Sequence, residues 1–124
     1  MDYGAARTGV AVSDATGTIA RPLTVVKGAA SPAGLARVLE IVREHTAELV
    51  VVGLPLTLKG EHGNQAIETE EFVRALREAL DVPVETYDER FTTAIAAREP
   101  GRAPEDARAA AHLLESYLAW ARAR

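Results

Sequence analysis

The sequence predicts a single α/β domain with a mixed sheet flanked by helices. Its first part has two short apolar runs separated by turn residues, Thr8–Ser13 and Thr18–Lys27, which favour a β-hairpin. Its middle has a continuous apolar run, Leu49–Leu54, which is typical of a buried parallel strand. Helical and strand patterns alternate from there onward. We therefore expect a sheet whose first three strands are antiparallel and whose remaining strands are parallel.

Length and composition fit one domain that covers residues 1–124. Hydrophobic residues make up 48% and charged residues 26% of the chain, ordinary values that exclude a disordered protein. The chain has no cysteine, which excludes disulfides, thiolate metal sites and thiol catalysis. No apolar run approaches the roughly 18 residues of a membrane span, and the first residues do not form a signal peptide. We expect a cytoplasmic protein without membrane association.

The first half of the chain predicts three strands and a helix. The first strand is expected at the very start, where Met1 alone precedes Asp2, so this strand is short. The turn residues Asp14–Gly17 connect the next two strands. Ser31 and Pro32 have the form of an N-cap followed by a first-turn proline. Apolar residues then recur at helical spacing, at Leu35, Val38, Leu39 and Val42. This segment is therefore an expected amphipathic helix.

The second half alternates loops, helices and strands. Residues 57–65 are a loop punctuated by glycines, and the pattern from Ile67 to Leu80 predicts a helix with acids in its first turns. Pro83–Tyr87 is the last predicted strand. Arg98–Pro104 interrupts regular structure, and an alanine-rich helix begins at Glu105. The expected order is β-β-β-α-β-α-β-α.

The excess negative charge is confined to one part of the chain. The net charge is −4, and residues 61–88 carry −6 while residues 1–60 and 89–124 carry +1 each. This distribution is compatible with a basic face elsewhere. The global charge nevertheless argues against strong non-specific affinity for nucleic acid, so composition leaves the partner open.

Acidic residues stand where α/β sheets carry their sites, at strand ends and helix starts. Asp2 lies on the first strand, and Asp106 lies in the first turn of the last helix. Asp88 and Glu89 follow the last strand. His45 and His112 have no metal-ligand spacing, and His62 lies in the glycine loop. Carboxylates without Cys or paired His favour Mg²⁺ or Mn²⁺ over Zn²⁺. Each acid taken alone is also compatible with a helix-dipole, turn or terminal charge.

The acids indicate a function more specifically when they are considered within five motifs that follow one another in a fixed order. They are Asp2-Tyr3-Gly4 with Arg7–Asp14, then Val51–Leu56, Gly60–Ala66, Asp88–Thr93, and Asp106 ahead of Leu114–Leu118. In this combination the chain resembles the YqgF family of RuvC-like Holliday-junction resolvases and pre-16S rRNA nucleases. The resemblance implies an RNase H-like fold and a metal-dependent nuclease that hydrolyses phosphodiester bonds, in pre-16S rRNA 5′-end processing or in junction resolution. It implies a catalytic and metal-binding set of Asp2, Glu89 and Asp106, with Mg²⁺ or Mn²⁺.

Carboxylates suit this chemistry, because two divalent ions about 3.5 to 4 Å apart activate a water and stabilise the leaving oxygen. Basic residues and glycines near the expected site are candidate contacts to a sugar-phosphate chain. They are Arg7, Lys59, Gly60, Gly63, Arg90, Arg102 and Arg108. The expected partner is RNA or DNA, bound by a monomer or by a homodimer in which two-fold symmetry pairs two active sites.

Three classes of function stay open, of which a metal-dependent nuclease is favoured. The second is a catalytically impaired nucleic-acid or ribosome-associated binding module, because Met1 alone stands where the family usually has several apolar residues. The third is an ATP-dependent kinase or a chaperone-like member of the wider superfamily, which this length disfavours because such proteins need a second lobe. The sequence leaves the substrate open among four-way DNA junctions, precursor ribosomal RNA and single strands.

Overall fold

The computed structural model describes residues 1–56, 63–91 and 104–123. Its elements in chain order are β1 (Arg7–Ser13), β2 (Ala20–Lys27), α1 (Pro32–Glu44), β3 (Val50–Leu54), α2 (Asn64–Ala79), β4 (Val84–Asp88), a short 3-10 helix (Glu89–Phe91) and α3 (Glu105–Ala123). These elements confirm the predicted α/β class and the predicted order of strands and helices from the hairpin onward. None of the helices in the described ranges has both the length and the apolar character needed to cross a membrane.

The predicted single mixed sheet is not what the structure contains. β1 and β2 form an antiparallel pair, whereas β3 and β4 form a separate parallel pair. The predicted first strand is reduced to an isolated antiparallel bridge between Asp2 and Gly9. The chain bends at Ala5 and Ala6, so only Met1 and Asp2 lie in line with the strands. Two residues provide one bridge and not the repeated ladder of a strand.

Met1 and Asp2 nevertheless connect the two strand pairs through their backbone. On one side, Asp2 N donates to Gly9 O at 2.9 Å and Gly9 N donates to Asp2 O at 3.0 Å. On the other side, Gly53 N donates to Met1 O at 3.0 Å, and the Met1 amino group donates to Val51 O at 2.7 Å. β1 and β3 are therefore tied edge to edge through these two residues.

Helices cover both faces of the strands. α1 and α2 lie on one face, where Val38, Val52 and Leu76 have no exposed surface (0%). α3 lies on the other face, where Leu113 packs with Val51. The neighbours Val51 and Val52 are thus buried in opposite layers, which confirms the predicted buried strand. Burial of each such side chain stabilises the fold by roughly 1.5 to 3 kcal/mol.

The sequence also explains where the helices begin. Ser31 Oγ accepts a hydrogen bond from Gly34 N at 3.1 Å, and Pro32 occupies the first turn of α1, where no N–H partner is needed. The start of α3 packs directly on Gly9 of β1. Only glycine allows this contact, because a Cβ at this position would overlap the backbone carbonyl of Asp106. This close approach brings the first turn of α3 next to the bridge made by Asp2.

A cleft of about 730 Å³ lies between β1 and β3. It is lined by the second half of β1, the start of β3 and Met1. Gly9 directs its backbone groups to Asp2, and the pairing of β1 with β2 is irregular between Val10 and Ala11. Ala11 lies opposite Pro22 of β2, which has no N–H to donate. The strand edges along the cleft can therefore accept a further extended segment.

An apolar segment of about five residues fused ahead of Met1 is expected to pair with these edges and fill the cleft. Because each buried apolar side chain contributes roughly 1.5 to 3 kcal/mol, the melting temperature is expected to rise by at least about 5 °C. Thermal unfolding followed by circular dichroism compares this fusion with a Gly/Ser segment of the same length. Equal melting temperatures for the two fusions would contradict strand acceptance at the cleft.

Candidate functional site

Asp2 and Glu89 form a hydrogen-bonded carboxyl pair where β4 ends. Glu89 opens the 3-10 helix that follows β4, and its side chain is hydrogen-bonded to that of Asp2. Burial first, and then this hydrogen bond and the charge of Asp2, raise the pKa of Glu89 to about 8. Two carboxylates this close repel each other unless a proton or a cation lies between them. The pair therefore holds a proton near neutral pH and would be stabilised by a bound cation.

The direction of the Asp2 side chain follows from the packing of its neighbour. Tyr3 stacks on Phe72 of α2, with ring centroids 4.6 Å apart. Because successive side chains of an extended chain point to opposite faces, Asp2 is directed to the face that α3 covers. Glu89 lies on that same face and meets it there.

Gly53 of β3 provides the space in which Glu89 lies. A Cβ at Gly53 would overlap the side chain of Leu113 and would come within 2.7 Å of Glu89 Oε1. Any larger residue would therefore displace the Glu89 carboxyl or the Leu113 side chain. Gly53 is not among the predicted site residues. The available signal is a glycine that interrupts a run of valines in a buried strand.

Asp106 lies at the same end of the molecule but has a different partner. Its carboxylate forms an ion pair with Arg7, with Oδ2 at 3.3 Å from Nε, and both side chains are partly exposed. Gly9 lies between it and Asp2, since Gly9 is bonded to the Asp2 backbone and its Cα faces the Asp106 carbonyl. Asp2 and Asp106 are therefore close through the backbone, whereas their carboxylates have separate partners.

The oxygen donors fit a hard divalent cation by their chemistry. Within residues 1–56, 63–91 and 104–123, however, no group of three or more His, Asp or Glu side chains could hold an ion together. The structure brings two of the three predicted ligands, Asp2 and Glu89, into contact. Joint ligation by Asp2, Glu89 and Asp106 stays a prediction, since it requires Asp106 to turn from Arg7 toward the pair.

Arg90, a predicted nucleic-acid contact, is bound to the neighbouring acid Asp88. Arg90 donates to Asp88 Oδ2 from Nε at 2.9 Å and from a terminal nitrogen at 2.6 Å, and its Nε also lies 3.1 Å from Oδ1. These hydrogen bonds hold the pKa of Asp88 below its usual range. A phosphate would therefore compete with Asp88 for this guanidinium.

The other predicted contacts are dispersed along the chain. Gly63 is the N-cap of α2, and its carbonyl accepts from Ile67 N at 3.1 Å. Arg108 is half-buried in the first turns of α3, and its backbone N donates to Pro104 O at 3.0 Å. Lys59, Gly60 and Arg102 lie outside the described residues. Arg7 and Arg90 are thus the predicted cations that the structure places beside the site acids.

Comparisons with known proteins identify similar chains. A family model described as "RuvX: Holliday junction resolvase" matches residues 1–120. A protein of Chloroflexus aggregans named "Putative pre-16S rRNA nuclease" is 40% identical over 127 residues, which cover 95% of this chain and 89% of that protein. A Corynebacterium jeikeium protein of the same name is 37% identical over 128 residues, covering 95% and 83%. The solved structure described as "Thermus thermophilus RuvC structure" has a TM-score of 0.57 at 25% identity and covers 98% of this chain and 93% of that one.

The Glu89→Gln variant is expected to stabilise the metal-free protein, and more at pH 8 than at pH 5. The unfolded chain releases the Glu89 proton near pH 4.5, whereas the folded protein releases it at about 8. The wild-type protein therefore loses stability as the pH rises through this window, and an uncharged glutamine does not. Because solvent screens the half-buried carboxyl, we expect a gain of about 1 kcal/mol at pH 8, or about 4 °C in melting temperature.

Thermal unfolding in the presence of a chelator at the two pH values measures this difference. Glu105→Gln is the matched control, because Glu105 is an exposed acid in the first turn of α3. It is expected to show no comparable pH dependence. A melting-temperature gain for Glu89→Gln that stays constant or shrinks as the pH rises would contradict a buried carboxyl pair.

Proposed function

The chain belongs to the RuvX family of Holliday junction resolvases, and from this premise we propose that it is a divalent-metal-dependent nuclease that hydrolyses phosphodiester bonds in nucleic acid. The observation that carries the proposal is the contact between Asp2 and Glu89 at the end of β4, where burial and the neighbouring Asp2 raise the pKa of Glu89. The names of the relatives support cleavage of pre-16S rRNA or junction resolution as the reaction, and for the rRNA we propose processing at its 5′ end. Both activities require a nucleic-acid strand at this site, and the proposed location of the reaction is the cytoplasm.

Asp2 and Glu89 would hold the cation once Glu89 has released its proton, and Asp106 would complete the set. A divalent cation bound there would supply water activation and charge neutralisation at the phosphate. Gly53 keeps the space for the Glu89 side chain open. Gly9 keeps the start of α3, and with it Asp106, close to the Asp2 backbone.

Arg7 has two roles in this proposal. In the free protein it pairs with Asp106 at 3.3 Å and so offsets the charge of that carboxylate. When Asp106 turns toward a cation, the Arg7 guanidinium is released for a phosphate of the substrate, where arginine binds strongly. Arg90 would exchange Asp88 for a phosphate in the same way.

A nucleic-acid-binding module with impaired catalysis is the second candidate. It is favoured by the ion pair that directs Asp106 to Arg7 and by the single bridge that stands in place of the first strand. Such a protein would bind the same strands as the nuclease without cleaving them. The two candidates therefore differ in turnover and agree in binding.

The direct test incubates the purified protein with labelled four-way junction DNA, single-stranded DNA and single-stranded RNA. Each substrate is combined with Mg²⁺, Mn²⁺ or a chelator, and binding is measured in parallel. Cleavage of at least one substrate that depends on the metal supports the nuclease. Binding without cleavage under all conditions supports the binding module, and the absence of both overturns the proposal.

The Asp106→Asn variant is expected to abolish metal-dependent cleavage without unfolding the protein, because it keeps the shape of the side chain and removes its charge. The loss should exceed the roughly 10- to 100-fold effect typical of residues that only support a metal ligand. Glu105→Gln, one residue earlier and exposed, is the control and should cleave like the wild type. If Asp106 only complements the dipole of α3, turnover stays unchanged and stability falls by roughly 0.3 to 1 kcal/mol.

A further inference from the structure

Two large aromatic side chains are exposed beside the carboxyl pair. Phe91 is 62% exposed and ends the 3-10 helix that Glu89 begins, and Trp120 is 45% exposed near the end of α3. Both rings lie against the ring of Tyr87 in β4, with centroid distances of 6.2 and 6.0 Å. Phe91 and Trp120 thus both lie against the buried ring of Tyr87, and we call these three rings the aromatic platform (Tyr87, Phe91 and Trp120).

The platform rests on a rigid base. Tyr87 is buried, its hydroxyl lies 2.9 Å from Ser116 Oγ, and the ring of Tyr117 meets it edge-on at 5.7 Å. Ser116 Oγ also donates to the backbone carbonyl of Phe91 at 3.0 Å. This contact ties the 3-10 helix to α3. The buried ring of Tyr87 and the backbone of Phe91 are thus held in place by α3.

The strand register places the platform directly beside the site. Tyr87 is the partner of Gly53 in the parallel β3–β4 pair, so both residues face α3. Glu89 lies over Gly53, and the backbone of Tyr87 lies one strand spacing, about 4.8 Å, from the backbone of Gly53. A nucleic-acid strand whose phosphate lies at the carboxyl pair would bring an adjacent base over these rings.

We propose that Phe91 and Trp120 stack with an unpaired base next to the phosphodiester bond that is cleaved, an inference that rests on the proposed nuclease function. Unpaired bases stack on aromatic rings and on arginine planes, and the Arg90 guanidinium lies 6.0 Å from the centre of the Phe91 ring. Bases inside a duplex are already stacked and hidden. The preferred substrate is therefore single-stranded nucleic acid or a junction with unpaired nucleotides.

A base fits this surface better than a protein partner does. Two exposed rings offer much less area than the ~800 Å² that each side of a stable protein interface buries. They suffice for one or two bases, for which each stacking contact strengthens binding by about 5- to 150-fold. The position beside the Asp2–Glu89 pair also matches a substrate that must reach these acids.

The test measures the affinity of single-stranded RNA and DNA oligonucleotides for wild-type, Phe91→Leu and Trp120→Leu proteins by fluorescence anisotropy. Each leucine variant keeps an apolar side chain and loses the ring, and binding is expected to weaken about tenfold. Phe91→Trp and Trp120→Phe keep a ring and should bind like the wild type. Ile19→Ala, at an exposed residue of the β1–β2 hairpin, is the control and should leave affinity unchanged. Circular dichroism checks that each variant is folded.

Oligonucleotides with abasic positions separate stacking from other effects. If Phe91 stacks on a base, the penalty of Phe91→Leu disappears when that base is absent. The inference is overturned if the leucine variants bind intact oligonucleotides as tightly as the wild type does. The exposed rings would then be assigned to contact with a protein partner.

The result also separates this inference from the proposed function. Cleavage with unaltered affinity in the leucine variants rejects stacking and keeps the nuclease. Ring-dependent binding without any metal-dependent cleavage keeps stacking and rejects the nuclease. A wild-type protein that binds no oligonucleotide rejects both.

Discussion

The site depends on two residues that join otherwise separate strand pairs. Met1 and Asp2 are bonded through their backbone to Gly9 of β1 on one side and to Val51 and Gly53 of β3 on the other. Without these hydrogen bonds, β1–β2 and β3–β4 would share helices but no strand contact in the described part of the chain. The same bonds place the Asp2 side chain against Glu89. One short connection thus determines both the alignment of the sheets and the assembly of the acids.

The contact between Asp2 and Glu89 costs electrostatic energy, and glycines provide the space that this site needs. Gly9 lets the start of α3 approach β1, and Gly53 leaves room for Glu89. Burial and the charge of Asp2 raise the pKa of Glu89 to about 8, so the folded protein holds a proton that free glutamate would release. Arg7 offsets the negative charge of Asp106 through an ion pair. This pattern is typical of sites where local stability is lower so that charged ligands or substrates bind better.

Patterns within short stretches of sequence predicted the elements well, because caps, turns and hydrophobic spacing act locally. The Ser31-Pro32 start of α1 and the buried run of β3 are examples, and both are confirmed. The division into two strand pairs was not predicted, because it depends on how far the chain stays in line after Met1. The pairing of Asp106 with Arg7 and the role of Gly53 were missed for a related reason, since they arise only when α3 packs on the strands. The family motif predicted Asp2 and Glu89 as site residues, whereas the raised pKa of Glu89 follows only from their packing in three dimensions.

Amide hydrogen exchange at Gly9 and Gly53 tests the central claim most directly, because each of these N–H groups donates to the Met1–Asp2 segment. If this segment joins the strand pairs, both amides exchange as slowly as the amides of the β3–β4 ladder, with protection lost only on global unfolding. Rapid exchange at Gly9 and Gly53 alongside slow exchange in β3 and β4 would contradict the account. It would mean that Asp2 is not held beside Glu89 by the backbone.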